Sequence, residues 1–359
     1  MVIPSVQIAA VLPPAGASAD ACLQIKPDHP VPSPAEGELL VKLEFSGVCH
    51  SDVHSVRGET HMLTDVAGHE GVGKVVKVGE GVTEHDWMGK RVGISMNDEL
   101  RDRWLYSSCL NCEICAINNT ACPYQKNAGA NVPGTFQQYI VSPAAHVTKI
   151  PSQLAPDVAA PLLCAGIAMY SSIMKTKTRP GDWIVLPGAG GGLGHMGIQI
   201  AVKKGLKVIA IDSGEKKKQL CLSLGATSFL DYKVDDIEKE VKGLTSSFGA
   251  HAVICTANSE PAYTQSIRLL RSLGVLVCVG IPSAPFRLPA TPFDMIVKGL
   301  TIVGNSAGTA QEMDELMEMA VAGDVNAHIE CFDFDKIDEV LQRLGRSEIE
   351  GRAVVKIPE

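Results

Sequence analysis

The stretch from Trp183 to Asp212 constrains the fold more than any other part of the chain. Trp183-Ile-Val-Leu-Pro187 has the apolar composition of a buried strand, and the loop Gly188-Ala-Gly-Gly-Gly-Leu-Gly194 follows it directly. A helical pattern then runs from Leu193 to Lys204, and a second apolar strand, Lys207-Val-Ile-Ala-Ile211, ends at Asp212. Glycines in such a loop permit a tight turn and let backbone N–H groups approach a pyrophosphate at the helix N-terminus. A glycine-rich loop alone also marks ordinary turns, so its surroundings must decide. Asp212 stands about 20 residues past the loop, where a carboxylate accepts ribose hydroxyls and repels the extra phosphate of NADP. The alternative is a solvated acid that caps the next helix. Strand, loop and spacing together predict a dinucleotide site at Gly188, Gly190, Gly191, Gly192, Leu193, Gly194 and Asp212. NAD is favoured over NADP, against the opposing charge of Lys216, Lys217 and Lys218.

The same texture continues with a helix from Glu215 to Leu224 and strands at Ala252–Thr256, Val275–Val279 and Thr301–Val303. Strands that alternate with helices imply a parallel, doubly wound sheet, and hence an α/β fold. Before it, from Val6 to Val147, short β-branched runs such as Leu39–Phe45 and Gly73–Gly79 are punctuated by glycine and proline. From about Gln311 two helices and a closing strand at Ala353–Ile357 complete the chain. A length of 359 residues is too great for one comfortable core and suits two domains. The expected division is a mainly-β domain at 1–160, completed by 308–359, around a nucleotide-binding domain at 161–307.

Charge and composition remove some functions. The net charge of −8 argues against nucleic acid or an anionic membrane as partner, and the three consecutive lysines are too few to track a phosphate backbone. No apolar run is expected to reach the roughly 20 residues that span a bilayer. Met1 to Leu12 is apolar but lacks a basic leader region and a cleavage site, so it reads as a first strand. The cytoplasm is the expected compartment. Eleven cysteines cannot all pair, and four of them crowd into one loop, which points to metal.

That loop is Cys109-x2-Cys112-x2-Cys115-x6-Cys122. Four thiolates without histidine suit a closed, tetrahedral, structural zinc. A second set is dispersed: Cys49, the pair His69-Glu70, and Cys164. Two thiolates and an imidazole leave one zinc position open for water or an alcohol, the catalytic pattern. No local spacing joins Cys49 to Cys164, and each alone would be an ordinary core residue.

Gly47-Val-Cys-His-Ser-Asp-Val-His54, Gly68-His-Glu-Gly-Val-Gly73, the cysteine loop, Leu163-Cys-Ala-Gly166 and the glycine loop occur in that order. Together they resemble the zinc-containing medium-chain alcohol dehydrogenases, in particular the tetrameric microbial type. The resemblance implies a GroES-like catalytic domain around a Rossmann domain, with alcohol and aldehyde as substrates and a homotetramer as assembly. It implies that Cys49, His69 and Cys164 hold the catalytic zinc, that Glu70 is an alternate ligand, and that Asp52 orients His69. Ser51 and His54 match the family's proton relay. His50, Lys217 and Arg352 match contacts to the cofactor's pyrophosphate, adenosine ribose and phosphates. Val279 matches a backbone contact to the nicotinamide amide.

Three departures bear on substrate. Val56 stands where small-alcohol enzymes of this type carry tryptophan, which would open the inner pocket. About eight extra residues, roughly Ser95 to Asp102, precede Trp104, the family's second pocket tryptophan; they form a surface loop or displace Trp104 from the pocket, and the loop is favoured. The last spacing in the cysteine loop is x6 where x7 is usual. These changes suit a substrate bulkier than ethanol, including one from secondary metabolism. Two other readings stand beside this one. One is a zinc-free NADPH-dependent quinone or enoyl reductase, opposed by the complete ligand set. The other is a non-catalytic zinc- and nucleotide-binding protein, which has no use for Ser51 and His54. Cys22, Cys221, Cys255, Cys278 and Cys331 read as core or surface thiols without a role.

Overall fold

Six strands of the nucleotide-site half lie side by side in a sheet that is parallel throughout. Their order is Ser228–Asp231, Lys207–Asp212, Trp183–Pro187, Ala250–Cys255, Leu270–Cys278, Thr301–Gly304. Numbered along the chain this is 3-2-1-4-5-6, the doubly wound dinucleotide order, and its direction reverses beside Trp183–Pro187. Helices cover both faces of such a sheet, so its strands are apolar on both sides; Ile184, Val185 and Leu186 are fully buried. The helix after the glycine loop spans Gly194–Lys203 and stops where Gly205 adopts φ 76°, a left-handed conformation that glycine takes without a Cβ penalty. The computed structural model describes residues 2–13, 16, 18–94, 105–118, 121–282 and 286–359. The extra residues Ser95 to Asp102 and Trp104 lie outside the described residues.

The chain divides into two units. One comprises Met1–Cys164, Thr309–Val321 and Ala327–Glu359, and the other Ala165–Gly308 and Ala322–Asn326. The first unit is built on a seven-stranded sheet around Glu38–Val48, which pairs with Glu70–Val78, Tyr139–Pro143 and Arg352–Lys356. All three pairings are antiparallel, so the last strand of the chain is anchored beside one of the first. Leu39, Val41, Val48, Val355 and Phe136 belong to one buried core, and the helix Ile337–Gly345 packs against His50–Val56. Val56, 4% exposed, is part of that core.

Two strands escaped the sequence reading. Ser228–Asp231 is four residues long at a sheet edge, and Ile329–Asp333 is half exposed, so neither shows a sustained apolar run. The bilayer expectation also needs correcting. Pro156–Lys175 is 20 residues and apolar enough to pass that test by length and composition. Its window is 78% buried inside the protein, as in a core helix. All eleven cysteines are free thiols; Cys22 and Cys331 are exposed, Cys221 and Cys255 buried, and Cys278 half-buried.

Candidate metal centres and dinucleotide site

Cys49 sits at the N-cap of the helix His50–Val56, and Asp52 occupies the helix's first turn. The Asp52 carboxylate reaches back to accept the Cys49 N–H at 2.9 Å, the reciprocal bond of a capping box. Its other oxygen accepts the Gly68 N–H at 3.2 Å and faces His69 Nδ1 at 3.0 Å. One buried carboxylate therefore ties the loop carrying Cys49 to the turn carrying His69. With Nδ1 donating to Asp52, Nε2 is the ring nitrogen that could ligate a metal, and it lies 3.7 Å from Glu70 Oε1. Glu70 opens the strand Glu70–Val78 opposite Gly47. A Cβ at Gly47 would run into the Glu70 carboxylate, so glycine there makes room for that side chain. Cys164 lies in a one-turn π-helix, Leu162–Gly166, a bulge common at functional sites.

The ligand atoms of Cys49, His69, Glu70 and Cys164 all lie within 4.8 Å of one another, and three of the residues are buried. The two sulfurs are 4.0 Å apart, close to the ~3.8 Å edge of a tetrahedron with 2.3 Å zinc–sulfur bonds and far from the ~2 Å of a disulfide. The hydrogen bond from Cys164 holds the Cys49 thiol well below its ordinary pKa despite burial, helped by Arg352 and His69. The same bond, with burial, pushes Cys164 well above it. Burial pulls His69 down, but Asp52 and Cys49 outweigh it and leave the imidazole well above its usual value. Burial lifts the Glu70 carboxyl to about 7, against the pull of Arg352. Of these groups, Cys164 and His69 hold protons that a metal ion would displace. Glu70 Oε2 is buried with no hydrogen-bond partner among the described residues. Two sulfurs, an imidazole and a spare carboxylate oxygen, converging in a buried pocket, fit zinc.

Arg352 is 4% exposed and donates from Nη2 to Glu70 Oε1, with Nη1 3.9 Å from the Cys49 sulfur. Its guanidinium is thus engaged inside the ligand pocket, a partnership that the sequence did not suggest.

The four-cysteine loop also closes. Cys109 Sγ lies 3.7 Å from Cys115 Sγ and 3.6 Å from Cys122 Sγ, again the edge lengths of a tetrahedral thiolate site. The Cys115 N–H points at Cys112 Sγ at 3.4 Å and the Cys109 N–H at Cys122 Sγ at 3.5 Å. Leu110 takes φ 58°, so the turn between the first two cysteines is left-handed. The backbone N–H of Asn111 leads the effects that lower Cys109 to about 6, while burial raises Cys115 to about 12. The shorter x6 spacing does not prevent all four sulfurs from converging.

Ser51 Oγ lies 3.3 Å from the Cys49 sulfur. The His50 and His54 rings stand 6.1 Å apart, and burial lowers the pKa of His50. His54 Nδ1 meets Glu59 Oε2 at 2.5 Å, a contact made through a turn that no sequence spacing announces.

In the second unit, the N–H groups of Gly188 and Ala189 donate to the Ile211 carbonyl at 2.9 and 3.1 Å. Gly190 N–H donates to Asp212 Oδ2 at 2.9 Å, and Lys217 Nζ pairs with Asp212 Oδ1 at 2.8 Å. A Cβ at Gly190 would press on the Lys217 side chain, and one at Gly194 on the Gly188 and Ala189 backbone. These are the close approaches that require glycine at both positions. Gly191 and Gly192 complete the turn, and Leu193 precedes the first helical residue. Val279 follows the strand Leu270–Cys278, its N–H donating to the Cys255 carbonyl at 3.2 Å. Two residues were missed. His195, fully buried, places Nδ1 2.9 Å from the Gly191 carbonyl, and Tyr263 donates its hydroxyl to the Gly280 carbonyl at 2.5 Å.

The alcohol dehydrogenase GroES-like domain matches residues 35–152, and the zinc-binding dehydrogenase domain matches residues 192–322. The chain is similar to an alcohol dehydrogenase of Moraxella sp., 39% identical over 90% of this chain and 93% of the relative. It is also similar to an alcohol dehydrogenase of Schizosaccharomyces pombe, 37% identical over 99% of each. Among solved structures, the alcohol dehydrogenase of Aeropyrum pernix superposes with a TM-score of 0.85 at 28% identity, covering 98% of this chain and 100% of the other. The acetophenone reductase of Geotrichum candidum, in complex with NAD, gives 0.84 at 26% identity, covering 99% and 98%.

Proposed function

This chain belongs to the zinc-containing medium-chain alcohol dehydrogenases, and from that premise we propose how its residues divide the work of NAD-dependent alcohol oxidation. Cys49, His69 and Cys164 hold the catalytic zinc, Glu70 is the alternate ligand, and Cys109, Cys112, Cys115 and Cys122 hold the structural one. The observation that carries this reading is the convergence of the first four ligand atoms within 4.8 Å. When bound, zinc supplies Lewis acidity that lowers an alcohol's pKa, and NAD supplies the hydride acceptor.

The protein's own residues do the rest. Asp52 fixes the ring of His69 and, through the Cys49 N–H, the helix start that presents Cys49. Ser51 would accept the alcohol proton and His54 would pass it on, the relay roles that the resemblance implies. The glycine loop Gly188–Gly194 would hold the pyrophosphate of NAD, a role that the resemblance also gives His50, and Asp212 and Lys217 would read the adenosine ribose. The buried Arg352 balances the charge of Glu70, and the resemblance implies that it would also contact the cofactor's phosphates. Val279 serves the nicotinamide amide.

The substrates are small-molecule alcohols and aldehydes. Within that class we favour one bulkier than ethanol, primary or secondary; Val56 is packed into the core, so its smaller side chain would act through that packing rather than by lining a pocket. A homotetramer in the cytoplasm, without nucleic acid or membrane partners, completes the reading. Its support is the likeness to the tetrameric microbial type, the free thiols and the net charge of −8. The test is NADH formation by zinc-loaded enzyme across alcohols from ethanol to benzylic and larger ones, repeated with Cys49→Ala. Turnover that rises with alcohol size and vanishes in the variant is expected. High efficiency confined to ethanol would refute the bulky substrate, and an active variant would refute the ligand assignment.

A further inference from the structure

Glu70–Val78 and Arg91–Ile94 pair antiparallel, with Lys74 directly opposite Arg91. Two cations that face each other across strands repel. Glu44 relieves them. It sits in a register shift between Leu43 and Phe45, and its carboxylate accepts Arg91 Nε at 2.7 Å and Nη2 at 3.2 Å. Lys74 Nζ stands 3.5 Å from the same carboxylate. Burial raises the Glu44 pKa, but Arg91 and Lys74 outweigh it and hold the carboxyl below its ordinary value. One carboxylate therefore serves two cations.

Two more lysines join them. After the short helix Glu84–Trp87, Gly89 takes φ 71° and donates its N–H to the Val75 carbonyl at 3.0 Å, so Lys90 leads straight into the strand. Thr148–Lys149 pairs with the other side of Arg91–Ile94, Lys149 lying opposite Val92. Lys74, Lys90, Arg91 and Lys149 line a cavity of about 450 Å³ together with Asp86 and Ser152. Lys90 has no ion-pair partner among the described residues, and Lys149 Nζ rests 5.0 Å from the centre of the Trp87 ring. Four cations against the carboxylates of Glu44 and Asp86 leave an excess of two positive charges, in a chain whose net charge is −8.

An excess of one sign in a concave site draws in counter-ions. The cavity is as large as small-molecule sites, which run to ~300–1,000 Å³. A phosphate suits its lining, because phosphate oxygens accept the donors that arginine and lysine present together. Arg91 gives Nε and Nη2 to Glu44 and keeps Nη1 as a donor, fixed in place by that pair. None of the lining residues belongs to either metal set or to the glycine loop.

We propose that this cavity is a second anion site, which binds a small molecule through a phosphate group. The experiment is calorimetric titration of the zinc-loaded enzyme, saturated with NADH so that the dinucleotide loop is filled. Inorganic phosphate and glucose 6-phosphate are the probes, on wild type, Lys90→Gln, Lys149→Gln and the double charge reversal Lys90→Glu with Lys149→Glu. One saturable site per chain with a Kd below about 1 mM is expected for the wild type. Each single variant should bind about tenfold more weakly, as when a charged hydrogen bond is lost, and the double reversal should not bind. NADH affinity should be the same in all four, which shows that the exposed lysines were replaced without harm to the fold. Tighter binding of the sugar phosphate would assign the site to an organic phosphate, and equal binding to the free ion; both support the proposal. No binding of either probe would overturn it, as would binding that survives the charge reversal. Capture of the enzyme by phosphatidylserine vesicles, with neither probe bound, would overturn it in favour of a membrane surface.

Discussion

His69 and Cys49 are held by one carboxylate: Asp52 Oδ1 lies 3.0 Å from His69 Nδ1, and Oδ2 accepts the Cys49 N–H at 2.9 Å. Two proposed zinc ligands, 20 residues apart in sequence, thus depend on a residue outside the proposed ligand set. Asp52→Asn keeps the shape but can present an N–H to the imidazole in place of an acceptor. Zinc affinity in the catalytic pocket should fall about 10–100-fold, the usual cost of losing such support. Competition with a chromophoric chelator measures it. An unchanged affinity would mean that Asp52 only caps the helix.

Asp212 holds two partners that a dinucleotide site needs, the Gly190 N–H and the Lys217 ammonium. Asp212→Gly removes the charge that opposes a 2′-phosphate and frees Lys217 to attract one. The ratio of kcat/KM for NAD over NADP should drop by about 10–100-fold, the equivalent of a charged hydrogen bond worth 1.5–3 kcal/mol. Steady-state kinetics with both cofactors gives the ratio. A preference left intact would remove Asp212 from the selectivity device.

Cys112 belongs to the four-cysteine cluster, its sulfur accepting the Cys115 N–H at 3.4 Å. Cys112→Ala leaves three ligands and should release that metal, with the thermal midpoint lowered by several degrees, because binding energy at a structural site is folding energy. Metal analysis beside calorimetry reads both. Retained zinc and an unchanged midpoint would contradict a structural role.

What the sequence disclosed follows physical lines. The parallel strands were readable because burial on both faces makes them continuous apolar runs, as in Ile184–Leu186. Ser228–Asp231 and Ile329–Asp333 were not, being short and partly exposed. The cysteine loop announced itself through spacing alone. Cys49 and Cys164, 115 residues apart, carried no such signal and were joined only through a resemblance of several ordered motifs. The bond from Arg352 to Glu70 spans 282 residues and depends on the last strand pairing with Glu38–Val48, which no local pattern reveals. Glu59 was invisible for the opposite reason. Its contact to His54 is local, but it is made by a left-handed turn at Gly58 whose geometry appears only in the fold.

The central claim is that the buried set of Cys49, His69, Glu70 and Cys164 holds the zinc on which alcohol oxidation depends. Zinc content, NADH binding by fluorescence and alcohol oxidation, all measured on Cys164→Ala beside wild type, test it most directly. We predict one ion in each cluster of the wild type. The variant should lose the pocket ion, keep the ion of the four-cysteine loop, bind NADH as before and oxidise no alcohol. A variant that retains both ions and still oxidises alcohol would contradict the account.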